Sequence, residues 1–203
     1  MRPGLSYASL YLGLEGDVVA AGASSANVWI YESNAIGRVW RYPDEEDAPG
    51  LFVTFSSLKD PAYLGQPTAE VIAVMDAEAF RPWMQDGGAD RLGYERLKAE
   101  LQRRLLAQFQ RHFPALAPMV RFAEAATPVT QWRSVRARRG AMYGAELTPE
   151  RLIGTAFRVE TPVTGLSLAG QDVFGPGVPA AFTAGLHAAA RVEPSLWPRL
   201  LFR

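Results

Sequence analysis

One long apolar stripe near the middle of the chain constrains the fold most. Apolar side chains recur every three or four residues from Tyr94 to Phe113, and a proline follows. This spacing predicts an amphipathic helix over about 94–112 that the proline ends. Glu100 lies four residues before Arg104 and adds a favourable pair on the polar face. We expect the stripe to pack on a sheet, and less readily on a membrane surface, because the opposite face carries both charge signs.

Five short apolar segments predict the strands of that sheet. They are rich in aliphatic and aromatic residues and are separated by turn-forming residues. The predicted strands cover residues 6–14, 27–31, 51–55, 69–75 and 119–125. The acidic run Asp44–Asp47 between them is predicted to be a solvated loop, and residues 127–144 an irregular segment. The fold class is therefore α/β, with an α+β domain built on a mixed sheet and a covering helix.

Composition and charge remove several classes of function. The chain has 21 basic and 21 acidic residues, which argues against a nucleic-acid-binding protein held by a global basic field. The absence of cysteine excludes disulfides and thiolate metal sites. With only His112 and His187, we expect no metal site. No apolar run approaches the roughly 20 residues that a membrane-spanning helix needs.

The segment from 165 to 191 carries the most chemistry. It predicts a short buried strand at 165–169, a glycine- and proline-rich turn, and a helix from 178 to 191. A helix N-terminus offers unpaired N–H groups and a positive dipole end, and Gly177 lets a ligand approach the backbone closely. Asp172 can accept hydrogen bonds from sugar-type hydroxyls. The pattern suits a large cofactor with a polar chain and an anionic end, although a plain strand-to-helix connection is the alternative.

Three blocks of sequence, in order and spread over nearly the whole chain, point to a known family. They are FSSLKDP at 55–61 with TAEV at 68–71; TPVT at 127–130 with RGAMYG at 139–144 and TPER at 148–151; and GLSLAGQDVFGPGVPAA at 165–181. Together they resemble the phytoene desaturase, carotenoid isomerase and retinol saturase family of FAD-dependent oxidoreductases. The last block resembles the C-terminal flavin-binding motif of that family.

The resemblance implies an FAD enzyme that acts on a polyene, an isoprenoid or another extended apolar substrate by desaturation, saturation or isomerisation. NAD(P) is a possible second cofactor. The implied organisation is a partial substrate-binding domain at 1–126, an active-site or interdomain segment at 127–160, and the last strand, loop and helix of a Rossmann-like FAD domain at 161–203. We expect a cytoplasmic protein with possible peripheral contact to membranes, since apolar substrates reside in lipid.

The resemblance also implies which residues contact the flavin. The implied FAD-binding residues are Gly170, Gln171, Asp172, Pro176, Gly177, Val178, Pro179 and Ala180. Asp172 would approach the ribityl–phosphate region, and the N–H groups near Val178 would face the pyrimidine edge. There the helix dipole would stabilise the negative charge of the reduced flavin. Arg139 and Tyr143 would lie at the rim of the active site, and no catalytic residue is assigned.

One family feature is missing, because nothing in the chain matches the strand–GxGxxG–helix fingerprint that holds the FAD pyrophosphate. We therefore expect this chain to correspond to the C-terminal portion of the enzyme, with the N-terminal FAD-binding half supplied in cis or in trans. The alternative is a non-catalytic remnant or a subunit that completes the flavin site of a partner chain.

Two other interpretations are weaker. The stretch around Ser167 imitates a G-x-S-x-G nucleophile elbow, but its fifth residue is alanine and the serine lies inside the predicted strand. Four arginines between 133 and 139, next to Trp132, could contact nucleic acid, but the chain is neutral overall. We expect these arginines to pair with carboxylates or with an anionic cofactor.

Overall fold

A computed structural model describes residues 2–63, 65–85, 90–154 and 157–196. The chain divides into two compact units. The larger unit, Leu5–Met142, is called here the sheet unit. The smaller, called the C-terminal unit, comprises Met1–Gly4 and Tyr143–Arg203. The division at 142/143 falls inside the predicted interdomain segment 127–160.

The sheet unit is built on five strands in the order β2-β3-β4-β1-β5. The strands are β1 Ser6–Leu14, β2 Val28–Tyr31, β3 Gly50–Thr54, β4 Thr68–Met75 and β5 Val120–Ala126. Each lies within one residue of its predicted bounds, so the alternation of apolar and polar residues located the strands correctly.

A sheet combined with helices confirms the predicted α/β class, but the pairing directions differ from the prediction. Every pairing between the five strands is antiparallel, where a mixed sheet was predicted. A parallel bridge between Trp40 and Met75 stands outside these ladders. Local patterns locate a strand, but its direction in the sheet depends on distant partners and connections, which such patterns do not encode.

The core lies between one face of the sheet and helix α1, Arg91–His112. Alternate β1 residues Ala8, Leu10 and Leu12 are buried, as the period of two in a strand requires. The buried residues of α1 are Tyr94, Leu101, Leu105, Gln108 and Phe109. The predicted apolar stripe is therefore confirmed as core. The Asp90 side chain caps the helix by accepting hydrogen bonds from two backbone N–H groups, at 2.9 and 2.8 Å.

The acidic run Asp44–Asp47 lies in a largely solvent-exposed loop, as predicted, and two of its carboxylates pair with arginines of α1. Arg103 donates to Glu46 at 2.9 Å, and Arg111 donates to Asp47 at 2.7 Å. The two arginines lie eight residues apart on α1, about two turns, so both reach the same side of the helix. Sequence spacing alone did not show that the loop returns to this helix.

Residues 127–144 contain a helix where an irregular segment was predicted. Helix α2 spans Pro128–Val135, and Thr127 and Thr130 form a reciprocal capping box at its start. A threonine–proline pair favours a helix start, and the same pair at Thr148 begins a second short helix. That helix, α3, spans Pro149–Ile153. The threonine–proline pair is present at both helix starts, but the arginine-rich sequence after Thr127 led to the prediction of an irregular segment there.

The C-terminal unit contains α3, a single turn α4, Gln171–Phe174, and the longer helix α5, Val178–Val192. The helix predicted at 178–191 is thus confirmed. The buried strand predicted at 165–169 is wrong: the segment is mostly exposed and pairs through one bridge, between Ser167 and Glu160. A strand needs a neighbouring backbone, and among the described residues this segment finds one only at that bridge. No helix of the described part of the chain is long and apolar enough to cross a membrane.

Candidate functional site

The N-terminus of α5 is open. Gly177 precedes the helix at φ +95°, a conformation that favours glycine, and among the described residues no side chain caps the first turn. A Cβ placed on Gly177 would have Pro179 Cδ as its nearest neighbour, at 3.9 Å. The side chain of Val178 is 82% exposed. Backbone N–H groups at a helix start with free space beside them suit an anionic or polarised ligand.

A second glycine, Gly170, begins the turn that precedes α5. Gly170 has φ +102° and precedes α4, and a Cβ at this position would meet nothing within 4 Å. Gln171 and Ala180 are half-buried, whereas Pro176 and Pro179 are exposed. The eight predicted flavin-binding residues therefore lie on two successive helix starts of the C-terminal unit, and their contact with flavin stays a prediction.

Asp172 has protein partners of its own. Its carboxylate accepts hydrogen bonds from the backbone N–H of Ala145 at 2.8 Å and from Arg151 Nη2 at 3.3 Å. A Cβ on Gly144 would overlap the Asp172 carboxylate, so glycine is required there. The Asp172 side chain is nonetheless 44% exposed. It anchors the 144–145 loop and keeps accessible surface for a further hydrogen bond.

Arg151 organises the C-terminal unit and was not singled out from the sequence. Its side chain is 8% exposed and donates to the backbone carbonyls of Asp172 at 2.8 Å, Gln171 at 3.2 Å, and Ala145. A buried guanidinium needs several acceptors because it has five N–H donors. The available signal was its place in the TPER block, which is part of the family resemblance.

The two rim candidates belong to different units. Arg139 lies in the sheet unit in a left-handed conformation, φ +55°, and donates to Glu78 at 2.8 Å. The next residue, Gly140, is buried and accepts a hydrogen bond from Ser6 Oγ at 2.7 Å. Tyr143 begins the C-terminal unit and is 49% exposed. Their placement at an active-site rim stays a prediction.

The sheet face opposite α1 carries aromatic residues that the sequence analysis did not single out. Trp29 is 62% exposed and packs against Phe52, its cross-strand partner, with ring centroids 4.9 Å apart. In the middle of the same face, Ser9 Oγ donates to Glu70 at 3.0 Å. Burial, followed by the charge of Glu70, raises the pKa of Tyr11. The face therefore combines apolar area at β2 and β3 with polar side chains at β1, β4 and β5.

The remaining predicted features have simple environments. His112 is in the last turn of α1, and its Nε2 lies 2.7 Å from Glu32 Oε1. His187 packs on Phe174 with ring centroids 4.8 Å apart. Within the described ranges, no three histidine, aspartate or glutamate side chains are grouped so that they could hold a metal ion.

Comparison with curated proteins confirms the resemblance to the retinol saturase branch of the family. The chain is 28% identical to the all-trans-retinol 13,14-reductase of Rattus norvegicus over 95% of its length, and 28% identical to that of Danio rerio over 92%. A Danio rerio protein named inactive all-trans-retinol 13,14-reductase is 27% identical over 95% of the chain. The chain spans 34%, 33% and 34% of these relatives, respectively. No family model matches it.

Proposed function

We propose that this chain forms the C-terminal portion of an FAD-dependent oxidoreductase of the phytoene desaturase type, which saturates a double bond of a retinoid or a similar polyene. The single observation that carries the proposal is the open, glycine-preceded start of α5 inside the block that resembles the family's flavin-binding motif. Relatives that are named for the reduction of all-trans-retinol support the reaction class and the apolar substrate.

The residues present fit FAD. The backbone at Gly170 and Gly177 leaves room for a close approach, and the first turn of α5 presents N–H groups toward that space. Asp172 keeps an accessible carboxylate for a hydroxyl group of the ribityl chain. Bound FAD supplies hydride transfer, and the α5 dipole lowers the free energy of negative charge at the flavin edge. NAD(P) is compatible with this scheme as an electron source.

The aromatic sheet face supports an extended apolar substrate. Trp29, Phe52 and Ile72 are neighbours across β2, β3 and β4, and they offer apolar area without a row of charges. Aromatic side chains bury large areas against a flat, unsaturated ligand. Tyr11 lies between Glu70 and Glu124 in the register of this face, so polar groups border the apolar area around Trp29.

The proposal includes a second polypeptide segment. The chain spans about a third of its curated relatives and contains no GxGxxG fingerprint, so a pyrophosphate-binding half acts with it in cis or in trans. The relative named inactive favours one alternative: a subunit that completes a flavin site without performing the reaction itself.

The test uses the chain together with the natural polypeptide that carries the strand–GxGxxG–helix fingerprint. We expect the pair to retain flavin through gel filtration and, once the flavin is reduced, to convert all-trans-retinol to a product with a shorter polyene absorbance. Gly177→Ala should lower flavin affinity at least tenfold, or about 1.4 kcal/mol. Its matched control is Gly22→Ala in the sheet unit, where glycine also has positive φ, +98°, and open space.

Three outcomes are informative. Equal flavin loss in Gly177→Ala and Gly22→Ala would mean that backbone strain, and not contact with the cofactor, explains the effect. Failure of the pair to bind flavin contradicts the proposal outright. Retained flavin without any change in retinol supports the subunit alternative.

A further inference from the structure

The polar groups that border the apolar area of the aromatic sheet face have no role in the proposed flavin chemistry. Ser9 on β1 is fully buried, and its Oγ donates to Glu70 Oε1 on β4 at 3.0 Å. Thr54 on β3 is directly opposite Glu70 in the register, so the two side chains lie on the same face. We call Ser9, Thr54 and Glu70 the polar anchor. The three residues come from adjacent strands, so the sheet itself fixes their spacing.

Glu70 keeps the capacity to accept a further hydrogen bond. Its side chain is half-buried, and no ion pair within the described residues includes it, whereas Glu124 on β5 is paired with Lys98 at 3.4 Å. An ionised carboxylate offers about four acceptor positions, and Ser9 occupies one of them. Tyr11, the cross-strand neighbour of Glu70, is exposed. A ligand can therefore approach Glu70 at this part of the face and donate a hydrogen bond to it.

Thr54 adds an unpaired hydroxyl group next to this carboxylate. The residue is 6% exposed, and in the part of the chain that the structure describes its Oγ1 has no hydrogen-bond partner. A buried hydroxyl group without a partner costs free energy, which a correctly placed acceptor recovers. A ligand group that both donates to Glu70 and accepts from Thr54 would satisfy the two residues together.

An apolar row leads to the polar anchor. Trp29, Phe52 and Ile72 are consecutive cross-strand neighbours on β2, β3 and β4. Ser9 is the next neighbour, on β1. Adjacent strands are about 4.8 Å apart, so the row from Trp29 to Ser9 is roughly 14 Å long. The row therefore suits an extended apolar molecule that has one small polar end, which would lie beside Glu70.

The polar anchor distinguishes between the end groups that such a molecule can carry. A hydroxyl group donates and accepts, and it has no charge to desolvate next to the apolar row. A carboxylate cannot donate, and the negative charge of Glu70 repels it. An ammonium group donates to Glu70 but offers no acceptor to Thr54, and it loses more hydration energy beside the apolar row. The hydroxyl group is therefore the end group that matches the polar anchor.

We propose that the polar anchor binds the terminal hydroxyl group of an extended apolar substrate, so that the sheet unit selects an alcohol over the corresponding carboxylic acid. Glu70 accepts a hydrogen bond from this hydroxyl group, and Thr54 donates one to its oxygen. Ser9 is a positioning residue that holds the Glu70 carboxylate in place. The inference rests on the proposed function for the class of substrate. The polar anchor lies within the sheet unit and includes none of the residues assigned to flavin, so it is tested without flavin.

The test is equilibrium binding of all-trans-retinol and all-trans-retinoic acid to the purified 203-residue chain, measured at neutral pH by quenching of tryptophan fluorescence. We expect the alcohol to bind about tenfold more tightly than the acid, because a hydrogen bond to a charged group provides a ratio of this order. All-trans-retinyl methyl ether cannot donate a hydrogen bond and should also bind about tenfold more weakly than retinol. This comparison uses the unmodified chain, so it does not depend on the folding of a variant.

Glu70→Gln removes the charge and keeps the shape of the side chain. It should lower the affinity for retinol about fivefold and leave the affinity for retinoic acid equal or higher, so that the preference for the alcohol disappears. The matched control, Glu95→Gln, removes the same charge from an exposed position of α1 and should keep both affinities within about twofold. Circular dichroism and the melting temperature check that both variants are folded.

The proposal is overturned if neither retinoid binds, if the acid or the ether binds the unmodified chain as tightly as the alcohol, or if Glu70→Gln keeps the preference for the alcohol. Loss of the preference in Glu95→Gln also overturns it, because the selection would then come from the general charge of the chain. Failure of the proposed function gives a different result. In that case the chain and the polypeptide with the GxGxxG fingerprint retain no flavin, while the sheet unit still prefers the alcohol.

Discussion

The two units of this chain are stabilised in different ways. In the sheet unit, large side chains such as Leu105 and Phe109 are fully buried between the sheet and α1. In the C-terminal unit, the buried apolar residues among those described are Val159, Ala184 and Ala190. Large apolar side chains of α5 are exposed instead, with Phe182 at 73%. Hydrogen bonds from the buried Arg151 side chain join Ala145 to Gln171 and Asp172 of α4 in this unit.

This difference bears on function. A thin core with apolar side chains at its surface leaves α5 free to bury area against a cofactor or a further polypeptide segment, as the proposed flavin site requires. The sheet unit has its own core and can hold a fixed surface, such as the aromatic face around Trp29. Substitutions in the apolar core of the sheet unit and at the buried arginine of the C-terminal unit test this difference.

The largest effect is expected in the apolar core. Phe109→Ala should destabilise the sheet unit by about 3–5 kcal/mol, because it removes a fully buried aromatic ring and leaves a cavity. Phe182 of α5 is 73% exposed, so Phe182→Ala should change the free energy of unfolding by less than about 0.5 kcal/mol. Urea unfolding followed by circular dichroism measures both. Similar losses in the two variants would mean that α5 is buried in the protein in solution.

An intermediate effect is expected at Arg151. Arg151→Met keeps the approximate volume but leaves backbone carbonyls and the Asp172 carboxylate without their donor. Local opening of the C-terminal unit should become easier by about 2 kcal/mol. Hydrogen exchange at the Ala145 and Gly175 amides should therefore accelerate, with no change in β1 or β4. Arg158→Met, at an exposed arginine, is the control; equal acceleration there would remove the special role of Arg151.

Sequence patterns predicted the sheet unit better than the C-terminal unit, for a physical reason. Strands and α1 bury one periodic face, so Leu101 and Leu105 reveal their burial by spacing alone. The segment 165–169 has a similar apolar pattern, but whether it forms a strand depends on a partner backbone that local sequence does not specify. The partners of Asp172 are Ala145 and Arg151, which lie 27 and 21 residues away. Such contacts follow from the fold and not from periodicity.

The smallest effect is expected at the ion pairs of Glu100 on the polar face of α1, and it depends on pH. Hydrogen bonds from Arg103 and then Arg104 lower the pKa of Glu100 to about 2, from an ordinary value of 4.5. A carboxyl group whose pKa is lower in the folded than in the unfolded chain stabilises the fold at pH values above the unfolded-state pKa. This contribution is lost as the pH falls from about 4.5 toward 2. Because 37% of the Glu100 side chain is exposed and solvent screens its ion pairs, we expect a contribution of less than about 1 kcal/mol.

Glu100→Gln should therefore flatten the acid limb of the melting temperature between pH 4.5 and 2, relative to the unmodified chain. Glu95→Gln, at an exposed position of the same helix without an ion pair among the described residues, is the control and should leave that limb unchanged. If both variants flatten the curve equally, general charge repulsion governs the acid limb. If only Glu100→Gln does so, the sheet unit is stabilised by a specific polar contact in addition to its apolar core, and the contrast with the C-terminal unit becomes one of degree.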